Sequence, residues 1–135
     1  MSLQPKKIKS FTDLQAWQKG HKLVIEIYKN TRSFPIGERF GLTAQLRRAG
    51  ISYTSNIAEG FSRYSYKEKI RFYTTALGSL TEIQNQLLIA KDIGYIKNKL
   101  FNKLARDTIE ISKITNGLIK TSREILKTRN LNSTP

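Results

Sequence analysis

A chain of 135 residues with 39% hydrophobic residues is long enough for one domain with a real core, and a second independent domain is not expected. The 24 basic against 10 acidic residues leave a net charge of +14, which favours a polyanionic partner. Cysteine is absent, which excludes disulfides, thiolate metal sites and cysteine nucleophiles, and no run of about eighteen apolar residues marks a membrane span.

Met1 to Lys9 carries charges without an apolar stretch, so no signal peptide is expected and the cytoplasm is the default compartment. Residues 1–10, with Lys6, Lys7 and Lys9, read as a flexible basic arm. Helix one is expected from a cap at Thr12 or Asp13 to about Thr31, with Leu14, Trp17, His21, Val24 and Tyr28 on one face. Ser33-Phe34-Pro35 stops it. On that face His21 reads as a core histidine.

Helix two begins after Gly37 or Gly41 and is expected to end at Gly60 in a left-handed cap. Its inner face, Leu42, Leu46, Ala49, Tyr53, Asn56 and Gly60, carries a carboxamide and small residues where a default helix would place leucines, so it encodes a specific helix contact. Ser62 to Ser65 form the next turn. Helix three, about Tyr66 to Ile93, has one apolar seam through Tyr66, Ile70, Tyr73, Leu77, Leu80 and Leu87 and another through Phe72, Ala76, Ile83, Ala90 and Ile93, which suits a central helix. Gly94 ends it. Helix four runs from about Lys97 to Lys127, and residues 129–135 read as a loose tail.

Short connections make successive helices antiparallel, so residues 11–128 are expected to form an all-α, up-down-up-down four-helix bundle. Folding helix two onto helix three about residues 63 and 64 sets Asn56 level with Arg71 and Gln45 level with Glu82, a polar ladder to which Glu59 and Gln86 can add. Its principal reading is a register-setting contact, and a ligand or RNA site is the alternative. Arg47 and Arg48 point about 100° apart on a helix. Arg47 is assigned to structure, and Arg48 is open between structure and RNA contact.

Lys99, Arg106, Lys113, Lys120 and Lys127 fall at intervals of seven, with Leu104, Ile111, Leu118 and Ile125 on the opposite face. That row is a candidate phosphate-binding stripe, against the plainer alternative of a solvated lysine face. Tyr64 and Tyr66, beside Arg63 and Lys67, could stack an unpaired base, although tyrosines there more often pack at a helix start. No catalytic constellation assembles: His21 is the only histidine, no glycine-rich phosphate loop follows a strand, and the Glu-x-x-His motif of di-iron bundles is missing. No enzyme activity, cofactor or metal is expected.

Two blocks, Gly41-Leu42-Thr43-Ala44-Gln45-Leu46-Arg47-Arg48-Ala49 and Ser55-Asn56-Ile57-Ala58-Glu59-Gly60, resemble the bacterial four-helix-bundle proteins encoded in intervening sequences of 23S rRNA genes. That family is related to the accessory proteins of diversity-generating retroelements. The resemblance continues through Phe11-x-Asp13-Leu14-x-Ala16-Trp17, Phe34-Pro35-x-x-Glu38, Arg71-Phe72, Ala76-Leu77-Gly78-Ser79-Leu80-x-Glu82, Gln86-Leu87 and Gly94-Tyr95-Ile96. The family often has proline where this chain has Thr54, which puts a kink in helix two in doubt. The resemblance implies a ring-like homopentamer that binds RNA, including rRNA, without catalysis. The retroelement branch implies a different role, an adaptor that binds a reverse transcriptase and its template RNA.

Overall fold

The computed structural model describes residues 7–132. Among them are four α-helices and no strand: α1 (Gln15–Thr31), α2 (Leu42–Ser62), α3 (Tyr66–Asp92) and α4 (Asn98–Asn132). Short 3₁₀ turns at Phe11–Asp13 and Ile36–Glu38 precede α1 and α2. The helices α1 and α3 each pack on α2 and α4, and the backbones of the two diagonal pairs stay apart, which makes an antiparallel four-helix bundle. No helix is therefore central. The two apolar seams of α3 merge into one strip, Tyr73, Ala76, Ser79, Leu80, Ile83, Leu87 and Ala90, because a corner helix meets its two neighbours on adjoining flanks. Ile93 is left exposed.

α1 begins later than a cap at Thr12 or Asp13 implies: Leu14 is its N-cap, with no side-chain cap bond, and the capped element is the preceding 3₁₀ turn. The Ser10 hydroxyl accepts a hydrogen bond from the Thr12 amide (3.2 Å), and the Asp13 carboxylate accepts from the amides of Lys9 (2.9 Å) and Ser10 (3.1 Å). This capping box ties down the end of the segment expected to be a loose arm. Residues 1–6 of that arm, and 133–135 of the expected tail, lie outside the described residues. Residues 129–132 are helical: nothing after Gly117 breaks α4, and the Arg129 guanidinium lies 4.7 Å from the Tyr66 ring centre.

Glycine placement corrects the expected end of α2. Gly60 stays inside the helix, buried, where a Cβ would come 2.6 Å from the Tyr73 ring. Chain reversal falls instead on Arg63 and Tyr64, and Ser65 caps α3 by accepting from the Glu68 amide at 3.3 Å. The left-handed cap sits at Gly94 (φ 86°), the sole positive-φ residue described. There Tyr95 N–H reaches the Ala90 carbonyl (2.8 Å) and Gly94 N–H the Lys91 carbonyl (3.0 Å), closing a Schellman motif.

The buried face of α1 is Ala16, Gly20, Leu23, Ile27 and Thr31, one position round from the expected stripe. Trp17, Val24 and Tyr28 are half-buried and His21 is exposed, its ring stacked on Trp17 at 4.7 Å. Small residues rotate the helix: Gly20 admits the Tyr53 ring of α2, and no larger side chain would fit there. Tyr53, 1% exposed, shares a 2.6 Å hydrogen bond with Thr115 of α4 and donates to the Ala16 carbonyl at 3.3 Å. One side chain thus joins three helices.

Burial pushes the Tyr53 and Tyr73 hydroxyls up from 10.0 to about 12, against a smaller lowering from Thr115 at the first and with a smaller rise from Tyr66 at the second. In the unfolded chain both would ionise near pH 10, so the folded state holds more protons between pH 10 and 12 and stability falls with rising pH there. The fall is on the order of 2 to 3 kcal/mol per tyrosine. Tyr53→Phe should remove about half of this alkaline loss in urea melts between pH 9 and 12. An unchanged pH profile in that variant would show that Tyr53 ionisation is not the cause.

Candidate nucleic-acid interface

The buried line of α4, Leu104, Thr108, Ile111, Thr115, Ile119 and Ser122, advances by steps of four and three that average 3.6. A helix of that period is barely supercoiled, so residues seven apart drift by about 20° per step. Lys99, Arg106, Lys113, Lys120 and Lys127 are all exposed and lie opposite this line. Over four steps the row therefore turns by about 80° along about 42 Å of helix. The same drift leaves Leu118 and Ile125 half-buried, while Leu104 and Ile111 stay in the core.

The turn of the row has a direction. Lys99 lies near the helical angle of Glu110, whose carboxylate is 2.5 Å from Lys19 of α1. Lys127 lies five turns of about 3.6 residues beyond Ile109, which shares the α3–α4 groove with Leu88. The row thus starts on the shoulder towards α1 and ends on the shoulder towards α3. The ion pairs of α4 use other residues, Lys103 with Asp107 at 2.9 Å and Glu110 with Lys19, and leave the five cations facing water.

Arg48 is exposed on α2, diagonal to α4, and does not join the row. Arg47 is half-buried and turns to α1, where its Nε donates to Thr31 Oγ1 at 3.0 Å and its guanidinium lies 4.5 Å from the Tyr28 ring centre. It also donates to the Tyr28 carbonyl (3.5 Å), so it satisfies the last turn of α1. Arg47→Met is expected to lower stability by about 1 to 2 kcal/mol, through the lost charged hydrogen bond and ring contact, with RNA affinity nearly unchanged. Preserved melting with a tenfold loss of affinity would instead make Arg47 a ligand contact.

The expected α2–α3 polar ladder does not form. Gln45, Glu59, Arg71 and Glu82 are exposed; Glu59 pairs with Arg63, the residue that caps the end of α2, at 3.8 Å. Asn56 is half-buried and donates to the Ser52 carbonyl (2.8 Å) and hydroxyl (3.3 Å), not to Arg71. The hydrogen bond between side chains of α2 and α3 among the described residues is Ser52 with Ser79, 2.9 Å apart. An alignment with Gln45 level with Glu82 would set Ser79 against Arg48; it stands against Ser52, one helical turn on. The continuation of α2 through Gly60 and the seating of Tyr73 on that glycine set this register. Gln86 is half-buried, and its Oε1 is enclosed without a hydrogen-bond partner.

Hydroxyls do the work assigned to the ladder. Across helices Thr108 accepts from Gln84 Nε2 at 3.2 Å and Thr115 meets Tyr53, whereas Ser122 donates within α4 to the Leu118 carbonyl at 2.8 Å. Thr108, Thr115 and Ser122 recur at intervals of seven, a periodicity visible in the sequence once hydroxyls are counted as core residues.

At the end of the bundle where α2 turns into α3, cations and aromatic rings interleave. Arg63 lies 4.7 Å from the Phe72 ring centre, and Lys69 lies 5.4 Å from Phe61 and 5.6 Å from Tyr66. Lys69 donates to the Phe61 carbonyl at 2.6 Å, and burial pushes its ammonium pKa down. Tyr66 packs in this cluster, but Tyr64 is 99% exposed. The expectation that both tyrosines pack at the helix start holds for Tyr66 alone.

Between α1 and α4 a groove of about 430 Å³ has His21, Lys22 and Lys29 on one wall and Lys103, Asp107 and Glu110 on the other. His21 there is a surface residue, not the core histidine its apolar stripe implies. Among the described residues no three His, Asp or Glu side chains are grouped so as to hold a metal ion, and no helix is long and apolar enough to cross a membrane.

The family model described as 23S rRNA-intervening sequence protein matches residues 12–117. The crystal structure of a protein with unknown function from the S23 ribosomal protein family of Bacteroides thetaiotaomicron is similar, with a TM-score of 0.72 and 23% sequence identity. The likeness covers 78% of this chain and 95% of that one, and at this identity it is a likeness of fold. No curated protein matches the sequence.

Proposed function

Starting from a chain that belongs to the 23S rRNA-intervening sequence protein family, we propose a non-catalytic, cytoplasmic bundle that binds structured RNA, including rRNA, through its phosphate backbone. The observation that carries this reading is the row Lys99, Arg106, Lys113, Lys120 and Lys127, five cations facing water on the longest helix, with no ion-pair partner among the described residues. A row of point charges neutralises phosphates and releases counterions without reading bases, so binding is strong at low salt and indifferent to sequence. Arg48 lies on another corner of the bundle and is available to a second RNA segment. No cofactor is assigned.

Self-association belongs to the same proposal. Leu88 and Ile109 are exposed at 45% and 49% on a groove of about 230 Å³ between α3 and α4 that also holds Phe101 and Ala105. A second copy covering this groove would give a homo-oligomer, a pentamer by resemblance, and would set several basic rows side by side. The same groove favours a second reading, an adaptor that docks on a reverse transcriptase and holds its template RNA.

Titrating salt against binding to duplex and single-stranded RNA tests the first reading. The logarithm of affinity should fall linearly with the logarithm of salt, by about 0.7 to 0.9 per phosphate contact. A salt-independent affinity, or none at low salt, would remove it. Light scattering reads the assembly, and a monodisperse monomer at micromolar concentration would remove the oligomer.

A further inference from the structure

We propose that the turn between α2 and α3 is a stacking site for an unpaired RNA base, with the Tyr64 ring as the platform and Arg63 and Lys67 beside it as phosphate contacts.

Tyr64 is 99% exposed, whereas Phe61, Tyr66 and Phe72 around it are half-buried beneath cations. An aromatic side chain of this size, left wholly in water beside a packed aromatic cluster, is an available π-face. In the chain Tyr64 falls between two exposed cations, Arg63 next to it and Lys67 in the first turn of α3. Arg63 sits over Phe72 and Arg129 over Tyr66, at 4.7 Å in each case. A guanidinium so placed keeps N–H groups along its edges, the geometry that meets a phosphate oxygen pair, and the 3.8 Å contact of Arg63 with the exposed Glu59 carboxylate is a weak surface pair that a phosphate can displace. Stacking surface and backbone charge thus occur together, as single-stranded nucleic acid requires and a uniform duplex does not.

The α4 row supplies a second, independent observation. It turns by about 80° and finishes, at Lys127, on the shoulder towards α3. Arg129, on the opposite side of α4 from Lys127, contacts Tyr66 and so sets this end of α4 level with the first turn of α3. A strand whose phosphates follow the row from Lys99 to Lys127 is therefore led to the corner of the bundle that carries Tyr64. There a base at a loop, bulge or strand end can leave its stack and lie on the ring.

This inference rests on the RNA-binding reading, and the experiment separates the two. Full-length protein, Tyr64→Ala and Tyr64→Trp are titrated with a uridine-rich 12-nucleotide single strand and a 12-base-pair duplex, both labelled. Tyr64 makes no packing contact, so neither substitution should change melting. Tyr64→Ala should lower single-strand affinity at least about fivefold and leave duplex affinity within about twofold. Tyr64→Trp should retain binding, and its added indole emission should be quenched by the single strand.

Single-strand affinity unchanged in Tyr64→Ala, with wild-type binding intact, overturns the stacking site and leaves the α4 row standing. A wild-type protein that binds neither probe overturns both. A change in sedimentation mass in Tyr64→Ala also overturns the site, because Tyr64 would then be covered by a second copy of the chain.

Discussion

The combined substitutions Arg106→Glu, Lys113→Glu and Lys120→Glu should abolish most RNA binding while leaving helix content nearly unchanged. Lysine, arginine and glutamate have similar helix propensities, and all three positions are exposed, opposite the core line of α4. Each lost phosphate contact removes about 0.7 to 0.9 from the salt slope, so the variant should be shallower by about two to three units. Extrapolated from 1 M salt to physiological ionic strength, that corresponds to a loss on the order of a hundredfold, before repulsion from the new carboxylates. Duplex and single strand should suffer alike at this row, in contrast to Tyr64→Ala. An unchanged slope would move the anion site to Arg48, the amino-terminal lysines or off the protein altogether.

A pair of glycine substitutions should have opposite signs. Gly20→Ala places a Cβ 2.4 Å from the Tyr53 ring, and that ring cannot retreat without giving up its bonds to Thr115 and the Ala16 carbonyl. Overpacking of this kind costs about 1 to 3 kcal/mol, more than the helix propensity that alanine gains. At Gly117 nothing lies within 4 Å of the added carbon, so Gly117→Ala should stabilise by about 0.5 to 1 kcal/mol. Denaturant melts of the two variants measure the difference. Gly20→Ala combined with Tyr53→Leu should be less destabilising than the sum of the single changes, because the smaller side chain yields to the new methyl group. Strict additivity would mean that the glycine–tyrosine contact does not set the α1–α2 distance.

Helix count, order and approximate ends could be read from the chain, because long amphipathic runs separated by Ser-Phe-Pro, a serine-rich turn and Gly94 leave little choice. The alignment of α2 on α3 could not. It depended on whether Gly60 ended the helix or received a ring, and glycine permits both. The candidate contacts fared accordingly. Counting from a turn at residues 63 and 64 sets Asn56 level with Arg71, but the packed helices are offset by one helical turn and the polar contact falls at Ser52 and Ser79.

The sequence by itself determined what depends on period and charge: a four-helix bundle, a core line on α4, and five cations opposite it. These follow from 3.6 residues per turn and the separation of apolar from charged side chains, which hold for each helix alone. Only the tertiary structure decided which small residues receive a neighbour's ring, which hydroxyls pair across helices, and that Tyr64 stays in water while Tyr66 is covered. Those are properties of two surfaces in contact. A tyrosine has the same propensity whether a glycine or a leucine faces it, so its environment is fixed by the packing of the whole bundle and by nothing local to the chain.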